Sequence, residues 1–176
     1  DFFYLTSDEA YLEGPWYGGT ATTAEFGNKF RAVANTNLVS ATALFGGSYA
    51  IGDQVQASLY NMAVAGLPAT LVANSNLITI AASDTPAFFL DIPFPANTAL
   101  TAGTNYFLAV KQFVASADRF ALYGSSSIYT PNTSFIKVGT GAWFSADTTI
   151  GAQTMMIRAN VGSPVTANCA ITAIAA

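Results

Sequence analysis

Apolar residues recur at every second position along much of this chain. In Gln54–Tyr60, Val55, Ala57 and Leu59 alternate with Gln54, Gln56 and Ser58. In Phe88–Phe94, Phe88, Leu90, Ile92 and Phe94 share one face and Asp91 takes the other. Tyr106, Leu108 and Val110 repeat the pattern, as do Val39, Ala41, Ala43 and Phe45, and then Met155, Ile157, Ala159 and Val161. Successive strand side chains point to opposite faces, so this period predicts half-buried strands of antiparallel sheets. Only Thr6–Leu12 fits a turn of helix, with Thr6 or Ser7 as cap and acids following.

Turn-forming clusters separate the runs: Gly66-Leu67-Pro68, Asn74-Ser75-Asn76, Ser83-Asp84-Thr85-Pro86, Ala102-Gly103-Thr104, Tyr129-Thr130-Pro131-Asn132 and Gly139-Thr140-Gly141. Short strands punctuated at this spacing predict an all-β fold. The expectation is a two-sheet antiparallel β-sandwich, jelly-roll-like, with about nine or ten strands. Its core should hold Val55, Leu59, Phe88, Leu90, Ile92, Tyr106, Leu108, Val110, Leu122 and Ile157. Residues 1–162 are assigned to the sandwich. Residues 163–176, poor in aromatics, are assigned to an exit strand or tail.

The 176 residues fit one domain and need no disulfide or metal to supplement a small core. Only 9% are charged, where about 25% is usual. The exposed surface must therefore be mostly Thr, Ser, Asn, Gly and Ala, with little charge repulsion against neighbours. That suits a secreted or densely packed extracellular object. No apolar run reaches the roughly 18 residues of a membrane helix, so no membrane span is expected. Net charge is −4 and the six basic residues are scattered, which argues against nucleic acid as a partner. The single cysteine, Cys169, cannot form an internal disulfide. The chain begins at Asp1 without a signal-like leader and reads as a processed protein or an excerpt.

The run VQASLYNM, then GLPATLVANSNLITI, then FFLDIPFPANTALTAGTNYFLAV resembles the jelly-roll modules of secreted bacterial surface proteins. The resemblance is strongest to modules that precede a type IX secretion sorting domain. Trp143 through Ala159 resembles their closing strands, and the likeness covers about residues 26–162. It implies an extracellular or cell-surface location and roles in adhesion, surface structure or polysaccharide attachment. It brings no catalytic residues.

There is no histidine, which removes Ser-His-Asp and Cys-His nucleophiles and the usual zinc and copper sites. Paired carboxylates are the remaining catalytic chemistry, and Glu25 and Asp91 fall on faces predicted to be exposed. The chain is therefore read as non-enzymatic, with no catalytic residue and no cofactor. A structural calcium is the one metal considered. Asp8, Glu9 and Glu13 cluster, and Asp53, Asp84, Asp118 and Asp147 occupy separate turns. None makes the calcium-loop signature, and solvated turn residues are the simpler reading.

Two functions follow. The first is a structural or adhesive module of a surface or filament-like assembly, whose partners are other proteins or copies of itself. Leu38–Phe45 and Leu77–Ala82 carry no charge, and unprotected edge strands recruit further strands. Val161–Ala176 could be a donated tail. The same strands lying centrally in the sheets would need no protection. The second function is carbohydrate binding, with Trp16 and Tyr17 in a glycine-flanked segment, Trp143 and Tyr129 as the aromatic platform. The plainer reading is that both tryptophans plug the ends of the sandwich. Asn132 opens an N-glycosylation sequon, and Thr148 lies in a short Asp-Thr-x O-glycosylation motif.

Overall fold

The period-two runs become strands, and several shorter strands join them. The computed structural model describes residues 11–13, 22–46, 51–81, 88–114, 121–125 and 129–162. In chain order the strands are β1 (Tyr11–Glu13), β2 (Ala24–Arg31), β3 (Thr36–Phe45), β4 (Gln54–Met62), β5 (Pro68–Asn74), β6 (Ile78–Thr79) and β7 (Phe88–Leu100). There follow β8 (Asn105–Gln112), β9 (Tyr123–Ser125), β10 (Ser134–Val138), β11 (Phe144–Ser145), β12 (Thr154–Met155) and β13 (Ile157–Gly162). The described residues thus hold thirteen strands, more than the nine or ten expected. The surplus is mainly two-residue strands such as β6, β11 and β12, too short to leave a period in the sequence.

One sheet runs β11-β10-β2-β8-β4-β5, with β6 also paired to β4. A second runs β13-β3-β7 and a third β1-β9-β12, and every named pairing is antiparallel. The inner faces of the first two sheets meet in one core, where Phe26, Val55, Leu59 and Leu108 of one sheet join Ala41, Phe45, Ile92 and Ile157 of the other. Of the expected core, Val55, Leu59, Ile92, Tyr106, Leu108, Val110, Leu122 and Ile157 are buried. Leu90 is partly buried against the same cluster, and the side chain of Phe88 lies outside the described set.

Two departures from simple alternation have visible causes. The period-two pattern puts Val39 on the core face, yet it is 49% exposed and Leu38 is buried instead. On one side the register passes from Leu38↔Thr98 to Ser40↔Pro93, and on the other from Val161↔Leu38 to Asn160↔Ser40. Against β13, Val39 is the one extra residue, a bulge, and a bulge inverts the facing of the residues before it. Against β7 the larger excess is on β7, where Phe94–Asn97 are passed over. Met155 and Ile157, read as one strand, belong to two sheets. Between them Met156 accepts a bond from Leu44 and donates one to Tyr123, and it carries the chain from β12 into β13.

Leu38–Phe45 is a central strand, flanked by β13 and β7, so its lack of charge needs no edge protection. β5 is the uncharged edge of the large sheet, with Leu71 and Val72 exposed. Residues 163–176, including Cys169 and most of the proposed tail, lie outside the described residues.

Candidate functional site

The outer face of the large sheet is covered rather than bare. Gly27 on β2 has no side chain, and a Cβ there would lie 2.5 Å from both the Phe107 ring and the Leu108 carbonyl. That gap lets Phe107 lie across the sheet, where it meets Phe135 and Trp143 edge-on at centroid distances of 5.7 and 4.9 Å. Tyr60 completes the cluster, 5.7 Å from Trp143. Beneath these rings Glu25 is 4% exposed, which corrects the expectation of an exposed strand carboxylate. Its side chain does point to the outer face, but that face has an aromatic roof.

The buried carboxylate is fully engaged. Glu25 Oε2 lies 2.6 Å from Lys137 Nζ, and Glu25 Oε1 accepts a 2.7 Å bond from the Tyr60 hydroxyl. The Lys137 ammonium also stands 4.6 Å from the Trp143 ring centroid, a cation–π geometry. The Tyr60 phenol is held well above its ordinary value, first by burial and then by the charge and hydrogen bond of Glu25. A phenol pushed in that direction is no base at neutral pH. This assembly locks β2, β4, β8 and β10 together.

Trp143 is thus half-buried and packed against Lys137, Phe107 and Tyr60. Trp16 and Tyr17 lie outside the described residues. Tyr129 stands apart from that cluster. Its phenol is raised by desolvation and by a hydrogen bond to the Asp147 carboxylate. Asp147 also accepts a 2.8 Å bond from the Asn132 backbone. Asn132 is exposed in a left-handed turn with φ 58°, while Ser134, the third sequon residue, is buried with its hydroxyl bonded to Asn28. Thr148 is exposed on a one-turn 3-10 helix and bonds the Ser145 carbonyl. Among the described residues, no three of His, Cys, Asp and Glu converge as metal ligands.

The outer face of β13-β3-β7 carries a different arrangement. Registers Thr42↔Asp91, Ser40↔Asn160 and Arg158↔Thr42 set five polar side chains side by side. The Thr42 hydroxyl donates to Asp91 Oδ1 at 3.0 Å. The Asn160 amide nitrogen lies 2.8 Å from Ser40 Oγ, 2.7 Å from Thr42 Oγ1 and 3.1 Å from Asp91 Oδ1. Asp91 Oδ1 is therefore held by two donors on an exposed residue. Phe89 precedes Asp91 by two residues on the same face and is 54% exposed. Two residues along a strand span about 7 Å, so an open ring and a fixed carboxylate stand one sugar ring apart.

Of this group only Asp91 stands out in the sequence, as an outward polar residue and as one of two strand carboxylates weighed for catalysis. Phe89 carried a legible signal, because it is an aromatic out of phase with Leu90, Ile92 and Phe94. Asn160 carried none, since it is 69 residues from Asp91 and only the strand order brings them together.

No protein-family model matches the sequence, and the search of curated proteins finds no match. Solved structures do match the fold. One holds the cysteine protease and lectin-like domains of Cwp84, a surface-layer-associated protein of Clostridium difficile. The match has a TM-score of 0.56 and 13% identity over 80% of this chain and 32% of that one. A second, the clostridial cysteine protease Cwp84 after propeptide cleavage, gives 0.61 and 13% over 90% of this chain and 41% of that one. The chain thus spans well under half the length of either. At this identity the likeness is one of fold.

Proposed function

We propose that this chain is a non-catalytic, lectin-like module of a bacterial cell-surface protein and that it binds neutral glycan on the outer face of β13-β3-β7. The observation that carries the reading is the Phe89–Asp91–Thr42–Asn160 constellation. A pyranose offers an apolar face of C–H groups and a rim of hydroxyls. An exposed ring takes the first, and a pre-oriented carboxylate and amide take the second. The network fixes Asp91 and Asn160 before any ligand arrives, which lowers the ordering cost of binding.

The fold likeness supports the same reading. A cysteine protease needs a thiol and a base, and a chain without histidine is the poorer counterpart of that part of Cwp84. The lectin-like part is the better one. The surface-layer association of Cwp84 supports a cell-surface location, while export by a type IX system is proposed from the sequence resemblance alone. Assembly with other proteins or with copies of itself is a second reading, supported by the charge-poor surface and the uncharged edge of β5.

A glycan array tests the lead reading. The intact chain should retain a defined set of neutral glycans. Asp91→Ala should weaken binding by at least tenfold and leave the melting temperature within a few degrees, because Asp91 is exposed and contributes little to the core. Equal retention by the variant would reject the assigned face.

A further inference from the structure

The strand ends opposite Asp53 carry a second feature that the glycan face does not use. The turns after β2, β4 and β7 gather there, because Arg31 pairs with Asn105 and Asn61 with Tyr106. The turn Thr101–Thr104 is stapled to the β2–β3 connection. Gly103 donates to the Ala32 carbonyl at 2.7 Å, Ala32 to the Thr104 carbonyl at 3.0 Å, and Arg31 Nε to the Gly103 carbonyl at 3.1 Å. Gly103 and Gly66 have φ of 78° and 82° and shape the two turns as L side chains rarely could. Between them lies a cleft of about 340 Å³, lined by Lys29, Met62, Val64, Thr104 and Asn105 among others. That is the lower end of the ligand-pocket range, roughly 300–1,000 Å³.

The lining is selective in its chemistry. Lys29 brings a positive charge, Thr104 a hydroxyl and Asn105 an amide, and Met62 and Val64 bring apolar wall. None of the three polar side chains makes a hydrogen bond or ion pair among the described residues. Among the described residues no carboxylate lines the cleft. In a chain of net charge −4, a half-buried lysine with no acid beside it among the described residues is an unspent cation. An ammonium in a partly desolvated cleft attracts an anion more strongly than one in open water.

We infer that this cleft binds an oxyanion group, carboxylate or phosphate, carried on a small hydroxylated molecule such as an acidic monosaccharide. Lys29 pairs with the oxyanion, Asn105 and Thr104 bond the hydroxyls, and Met62 and Val64 pack on the carrier. This inference is independent of the Asp91 face, which lies on the other sheet.

The test is a titration of the ¹⁵N-labelled chain with D-glucuronate, glucose 6-phosphate and D-glucose, read by amide shifts. Glucuronate, glucose 6-phosphate or both should move the amides of Ala63–Gly66, Thr104 and Asn105, and glucose should not. Whichever anion binds tells carboxylate from phosphate. Lys29→Gln should weaken the response at least tenfold with an unchanged melting temperature, Lys29→Arg should retain part of it, and Asp91→Ala should leave it intact. No shift with either anion, an equal response to glucose, or full binding by Lys29→Gln would overturn the inference.

Discussion

Glu25→Ala should cost about 3 kcal/mol of folding stability, a lowering of the denaturation midpoint readable in a urea titration. Breaking a buried ion pair by removing one partner typically costs about 3–5 kcal/mol. The lower end applies here, because the Lys137 side chain is 22% exposed and can turn toward water once its partner is gone. Tyr60 loses its acceptor in the same step, and its unpaired hydroxyl is part of that loss of about 3 kcal/mol. Glu25→Ala with Lys137→Met should recover part of the loss, since no uncompensated ammonium remains. A Glu25→Ala chain as stable as the parent would mean that the aromatic roof, not the pair, holds this face.

The same cluster predicts a pH dependence. The Tyr60 phenol has a folded-state value above the unfolded 10.0. The unfolded chain therefore gives up this proton at lower pH than the folded one, and the folded state binds more protons in between. The stabilisation is complete below pH 10.0, and stability falls as pH rises above it. Stability measured upward from pH 9 should decline less steeply in Tyr60→Phe than in the parent.

Asn28→Ala should be the other large effect, again about 3 kcal/mol, and it acts where the sheets join. The Asn28 side chain is 3% exposed. Its amide nitrogen donates to the Met155 carbonyl at 2.5 Å, and its oxygen accepts from Met155 N at 3.2 Å and from the Ser134 hydroxyl at 2.8 Å. One side chain thus serves the backbone of β12, in the third sheet, from β2 in the first. Alanine strands the partner groups of Ser134 and Met155 in the interior, at about 1–3 kcal/mol for each unsatisfied group, reduced by local rearrangement. Amide exchange at Met155 and its neighbours should accelerate more than exchange at the β4–β8 ladder. Uniform acceleration would place the loss in global stability and not at the junction.

The alternation in β4, β8 and the inner half of β7 was legible because both faces of each strand have one environment along its length. It failed at Val39, where a bulge changes the phase, and at Glu25, where the outer face is covered by residues from three other strands. Neither condition is local. Glycine at 27 was the one trace of the roof, since a strand glycine often marks close approach. The polar constellation was half legible: Asp91 and Phe89 lie in one strand, but Thr42 and Asn160 join them only through the order β13-β3-β7.

Chemical-shift mapping of the parent chain with a neutral glycan retained on the array tests the assigned face most directly. The shifts should concentrate at Ser40–Leu44, Phe89–Pro93 and Ile157–Asn160, and Asp91→Ala should abolish them. Shifts centred on Trp143, or on Trp16 and Tyr17, with Ser40–Leu44 and Phe89–Pro93 unmoved, would contradict the assignment and move the site to another aromatic surface.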